Sequence, residues 1–210
     1  MPSSIATIAP VDEAAKDPLL QQARDLLITA LQQDDMDTLS SLVSPVADAG
    51  SPTTTLASRL SREAEAATRA GLLDALRHGG AFTTERGQVF GRPEFCAPYA
   101  YARYPSIKDR AEWFMESPGV LLSANVPVHK EPASHSPVLT VLTHTVVQSF
   151  GTIDDRDRSG RVWVEIGLPD GTGYVPDSEI WRPDEYHVCL AKTGSSWLVS
   201  TIGTHVFSAR

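Results

Sequence analysis

Between Val120 and Val175 the chain runs as short apolar strands separated by polar turns, ending in Trp163-Val-Glu-Ile-Gly-Leu-Pro-Asp-Gly-Thr-Gly-Tyr-Val175. That closing stretch limits what the region can fold into. Trp163 and Glu165 alternate with Val164 and Ile166 at the two-residue period of a strand with two unlike faces. Pro169-Asp170-Gly171 then supplies the residues of a tight turn, and Tyr174-Val175 re-enters a strand. A helix cannot use this pattern, so the region is expected to be a small β-barrel.

A barrel of about 60 residues is a small domain, and the chain has 210 residues, so further structure is expected on either side of it. The fold class expected is α+β. A helical and mixed unit spans 1–116, the barrel 117–183, and a closing hairpin, expected to pack on the barrel or on the aromatic segment that begins at Phe95, 184–210. Lys and Arg total 18 against 26 Asp and Glu, a formal net charge of −8. Nucleic-acid binders need clustered cations to displace counterions, so nucleic acid is not an expected partner. No apolar run approaches the roughly 20 residues of a membrane span, and the opening Met1-Pro-Ser-Ser-Ile-Ala-Thr has neither a basic nor an apolar leader segment. The compartment stays open: cytoplasmic as the sequence stands, cell envelope if a leader was removed before residue 1.

Asp17-Pro18 has the composition of a helix start, a capping side chain followed by a proline whose missing N–H costs nothing in the first turn. Leu19, Leu20, Ala23, Leu26, Leu27, Ala30 and Leu31 follow at helical spacing. A short second helix is expected from Asp37 to Leu42, before Pro45, with a loop over Val46 to Thr55. A third helical pattern runs from Leu56 to Leu76 and ends at Gly79-Gly80, with Gly71 as a candidate break. Ala81 to Phe90 reads as a hairpin around Glu85-Arg86-Gly87. Phe95 to Pro105 is an aromatic segment expected to be extended, with Tyr99 and Tyr101 on one side. Glu112 to Met115 is a candidate strand. Tyr186 to Lys192 and Trp197 to Ile202, joined by Thr193-Gly194-Ser195-Ser196, form the closing hairpin.

Three segments in order carry a family likeness: Ala124-Asn125-Val126-Pro127-Val128-His129-Lys130-Glu131-Pro132, then Ser136-Pro137-Val138-Leu139-Thr140-Val141-Leu142, then the Trp163 to Val175 hairpin. Together they resemble the bacterial SH3-like domain family, with its Val-x-Val-Arg strand, Val-x-x-Leu strand and closing Trp-x-x-Val…Asp-Gly-x-x-Gly-Tyr-Val hairpin. The whole chain looks like uncharacterised bacterial proteins carrying such a domain, for which no activity is implied. His129 stands where the family usually has Arg, and Pro127 within a strand argues for an edge position.

Cys96 lies between Phe95 and Ala97-Pro98, with no helix start or cationic neighbour to lower a thiol pKa. It reads as structural, and Cys96 with Cys189 is a possible disulfide. The six histidines, His78, His129, His135, His144, His187 and His205, show no helical pair with a carboxylate at zinc-site spacing. No metal, cofactor or catalytic residue is assigned. The run Asp154-Asp155-Arg156-Asp157-Arg158 reads as a solvated hairpin tip or a contact surface. Tyr101, His129, Trp163 and Tyr174 are the candidate ligand contacts, because aromatic faces with polar tips suit peptides and glycans.

The function expected is a non-catalytic binding module whose barrel recognises a peptide, a protein or a peptidoglycan component. An enzyme or small-ligand domain in the N-terminal unit targeted by the barrel, and an acidic inhibitor or immunity protein, are the alternatives.

Overall fold

The computed structural model describes residues 6–44, 66–83, 93–108, 118–154, 160–183 and 185–203. It is a mixed α+β structure with two antiparallel sheets. The chain divides into two compact units: Met1–Pro10 with Pro105–Pro183, and Val11–Tyr104 with Asp184–Arg210. The second unit is thus made from two stretches of sequence, with Pro105–Pro183 of the first lying between them in the chain.

In the helical unit, α1 (Pro18–Gln33) starts as its sequence dictates. Asp17 accepts from the backbone N–H groups of Leu19 and Leu20, and Pro18 occupies the first turn. The same carboxylate accepts from Lys192 Nζ at 2.8 Å and from Trp197 Nε1 at 3.0 Å, which pins the start of α1 to the C-terminal hairpin. Asp34 closes α1 in the left-handed conformation, and Asp35 caps α2 (Met36–Ser41). Then α3 (Ala66–Arg77) runs through Gly71 without a break, and a Cβ at that position would lie 2.1 Å from the Tyr186 ring. Glycine here makes room for a neighbour. The expected start of this helix at Leu56, the turn Glu85-Arg86-Gly87 and the strand Glu112 to Met115 lie outside the described residues.

The sheet of this unit has the order β1 (Ala81–Phe82), β2 (Glu94–Ala97), β10 (His187–Thr193), β11 (Ser196–Gly203). Leu20, Leu27 and Leu31 of α1 and Leu72 and Leu76 of α3 share a core with Phe95, Val188, Leu190, Trp197 and Val199 of the sheet. Val43 bridges Val199 in parallel beyond β11, so this edge is covered. The hairpin β10–β11 forms as expected, and of the two neighbours expected for it, the barrel and the aromatic segment, it pairs with the start of the aromatic segment, in β2. It is hydrogen-bonded along β2, Cys189 opposite Cys96 and Leu190 opposite Phe95. Alternating Phe95/Ala97 and Val188/Leu190 fill the core face that the helices need, which is the physical reason for that pairing.

Tyr99 to Lys108 is also different from expectation. It forms α4 (Tyr99–Lys108), not an extended segment. Ala100 and Ala102 are strong helix formers, and a Tyr-Ala-Tyr triplet is too short to fix a period of two.

The other unit holds β3 (Pro118–Leu121), β4 (Val126–His129), β5 (Val138–Leu142), β6 (Val146–Asp154), β7 (Val162–Leu168), β8 (Gly171–Pro176) and β9 (Ile180–Trp181). Their order is β5-β4-β8-β7-β6-β3-β9. Among the described residues nothing pairs β5 with β9, so the expected closed barrel gives way to an open sheet. Leu121, Val126, Val128, Val147, Val164, Ile166, Val175 and Ile180 form its core. Pro127 is not on an edge strand, since β4 lies between β5 and β8. It is tolerated because β4 joins β8 at one position only, His129 opposite Tyr174, so the missing N–H costs no further bond to β8.

Candidate functional site

Register decides which of the expected contact residues share a face. Tyr174 lies opposite Glu165 on β7 and His129 on β4, and Trp163 lies opposite Pro176. All are on the face opposite the Val164, Ile166 and Val175 core, as the alternation from Trp163 implied. Burial separates them. Trp163 is 0 % exposed, His129 is buried, and Tyr174 is half-buried.

The turn after β4 explains why the pair is covered. Lys130 N–H donates to the Pro137 carbonyl, Glu131 N–H to Ser136 Oγ and Ser136 N–H to the Ala133 carbonyl, which folds residues 130–137 into a compact loop. The Ser136 carbonyl then accepts from His129 Nδ1 at 3.0 Å, fixing the ring edge-on to Trp163, with centroids 5.1 Å apart. The Arg161 guanidinium lies 5.9 Å from the Trp163 ring centre. Trp163 and His129 therefore hold the sheet and its loop together and offer no ring face for a ligand. Tyr101 belongs to the helical unit, where it is buried and stacked on His187 with ring centroids 3.9 Å apart. Of the four, Tyr174 is the one that is not buried.

Beside this row lies the outermost strand of the sheet. On β5, Val138, Leu139 and Val141 are 51, 47 and 53 % exposed. Val138 is opposite His129 and Val141 opposite Pro127, while Leu139 is the extra residue of a β-bulge. An apolar outermost strand with one open side is a template for another strand unless it is charged or covered. This exposure is not legible in the residues of the strand. Val138-Leu139-Thr140-Val141-Leu142 is apolar on both faces, the signature of a buried strand, and only the sheet order reveals it as an edge.

The second face of the four-stranded sheet is also buried. Cys96 and Cys189, paired across β2 and β10, are joined in a disulfide spanning 93 residues of sequence. Glu94 is 1 % exposed on the same face, and its Oε1 accepts from Ser200 Oγ at 2.8 Å. The sequence reading missed Glu94 and the place of His187; the two-residue period of a strand, which puts Glu94 on the face of Cys96 and His187 on that of Cys189, is the signal that could have found them. Arg156-Asp157-Arg158, in the acidic tip, lies outside the described residues.

No protein-family model, curated protein or solved structure matches the chain. Among the described residues no helix is long and apolar enough to cross a membrane.

Proposed function

We propose that Pro105–Pro183 forms an SH3-like, non-catalytic binding module that takes an extended peptide along the open side of β5. The observation that carries this reading is the exposure of Val138, Leu139 and Val141 on the outermost strand. Adding a strand there supplies main-chain hydrogen bonds, and alternate side chains of the peptide reach Val141 and Val138. The SH3-like reading is supported by the 3-10 turn Asp177–Glu179, which returns the chain so that β9 pairs with β3, and by the tight β7–β8 hairpin. The net charge of −8 favours a basic peptide, through encounter rate and choice of partner.

A short synthetic peptide of alternating valine and threonine with lysine ends is the probe, followed by amide hydrogen exchange and titration calorimetry. Protection confined to β5, with binding weakened at least about tenfold in Val141→Lys, is expected; an edge lysine blocks pairing while stability shifts by about 0.5 kcal/mol or less. Protection elsewhere would overturn the reading. So would retention on peptidoglycan sacculi that Val141→Lys leaves intact, which would move the ligand to a glycan.

A further inference from the structure

The buried face of β2 and β10 collects groups that a structural disulfide alone does not require. Cys96 and Cys189 are direct register partners, and Glu94 precedes Cys96 by two residues, so all three side chains share one face. The two sulfurs and a Glu94 carboxylate oxygen all lie within 4.8 Å of one another, and each residue is 0 or 1 % exposed. A fully buried glutamate beside a disulfide is costly unless something compensates its charge.

One compensating contact is built by a defect in the neighbouring strand. Cys189 lies opposite Thr201 and Leu190 opposite Val199, so Ser200 is the extra residue of a β-bulge. That bulge lets Trp197, Val199 and Ile202 all reach the core while turning Ser200 the other way. Its hydroxyl lies 2.8 Å from Glu94 Oε1 and 3.2 Å from the Cys189 carbonyl. Hydrogen bonding of this kind orients a metal-ligating carboxylate.

We propose that, when the bridge is open, Glu94, Cys96 and Cys189 form a Zn²⁺ site that keeps β2 tied to β10. Two thiolates and a carboxylate are a donor set that Zn²⁺ accepts readily, at about 2.3 Å from sulfur and about 2.0–2.2 Å from oxygen. Mg²⁺ and Ca²⁺ prefer oxygen alone. Each thiol releases its proton to solvent as the metal binds, so the step needs no oxidant. Zn²⁺ offsets the two negative charges that the thiolates acquire as they lose their protons. Where the disulfide has already formed, a dithiol opens it: its two thiol hydrogens end on Cys96 and Cys189, and it leaves as a cyclic disulfide. The same two strands are thus tied in an oxidising compartment by a covalent bond and in a reducing one by a metal.

The test uses the full chain, reduced with a phosphine, and Co²⁺ as the spectroscopic probe. The reduced chain is expected to take up one Co²⁺, with thiolate-to-cobalt charge transfer and tetrahedral d–d bands that Zn²⁺ abolishes; the bridged chain takes up none. Ser200→Ala and Glu94→Gln are each expected to weaken binding by about tenfold or more. A reduced chain that keeps its circular dichroism but shows no thiolate–cobalt band overturns the proposal, as does unchanged affinity in Glu94→Gln. If reduction unfolds the chain, recovery of its dichroism on adding Zn²⁺ supports the site and failure to recover overturns it.

Discussion

At the scale of single residues, Asp17 is the side chain with most structural consequences. Hydrogen bonds from Lys192 and then Trp197 hold its carboxyl at about 2 against an ordinary 3.8, with the N–H groups of Leu19 and Leu20 adding to the effect. A depressed carboxylate favours folding when ionised, so this contribution is complete above the ordinary value and is lost as pH falls from 3.8 through about 2. In urea unfolding followed against pH, the wild-type midpoint is expected to fall across that window, and Asp17→Asn to start lower and fall less. The cap on α1 was legible, since Asp-Pro before a leucine stripe has one local meaning. Its partners Lys192 and Trp197 were not, because they come from 175 and 180 residues away. The aromatic candidates teach the converse. Trp163→Ala is expected to cost about 3–5 kcal/mol, as for other buried aromatic truncations, and Tyr174→Ala about 1 kcal/mol. Thermal melts of the two variants check this, and a mild Trp163→Ala would contradict its place in the packing of the β4 loop.

At the scale of elements, strands whose residues alternate between two chemically unlike faces were read accurately. The β7–β8 hairpin, with its two-residue loop Pro169-Asp170 between Leu168 and Gly171, follows from its residues. Where both faces are alike the sequence misleads: β5 looks buried and lies at an edge, and Tyr99–Tyr101 looks extended and is helical. The β2–β10 pairing is the element whose removal is most informative. Its disulfide closes a separation of 93 residues, for which loop entropy gives about 4–5 kcal/mol. Cys96→Ser with Cys189→Ser, kept free of metal, is expected to lower the stability of the helical unit by that order in denaturant unfolding. Little change would mean that the unfolded chain already holds these strands close.

At the scale of the whole molecule, one unit is continuous apart from a short N-terminal strap, and the other is split across the sequence. Ala6 and Ile8 join the first through Val146 and His144. The second lacks β10 and β11 until the last residues are present. A chain ending at Pro183 is therefore expected to keep hydrogen-exchange protection in β3 to β9 and to lose it in α1 and α3. Protected helices in that truncation would show that α1, α3 and β2 pack without the hairpin. The sequence by itself determined the capped start of α1, the alternating faces of β7 and the turns of the β7–β8 and β10–β11 hairpins, because these depend on neighbours within a few residues. Tertiary structure decided that the closing hairpin pairs with β2, that Trp163 is covered while β5 is open, and that Glu94 lies beside two cysteines. A backbone ladder can pair with any strand of suitable register, and exposure depends on which distant segment occupies the next position. Only the packing of the folded chain fixes both.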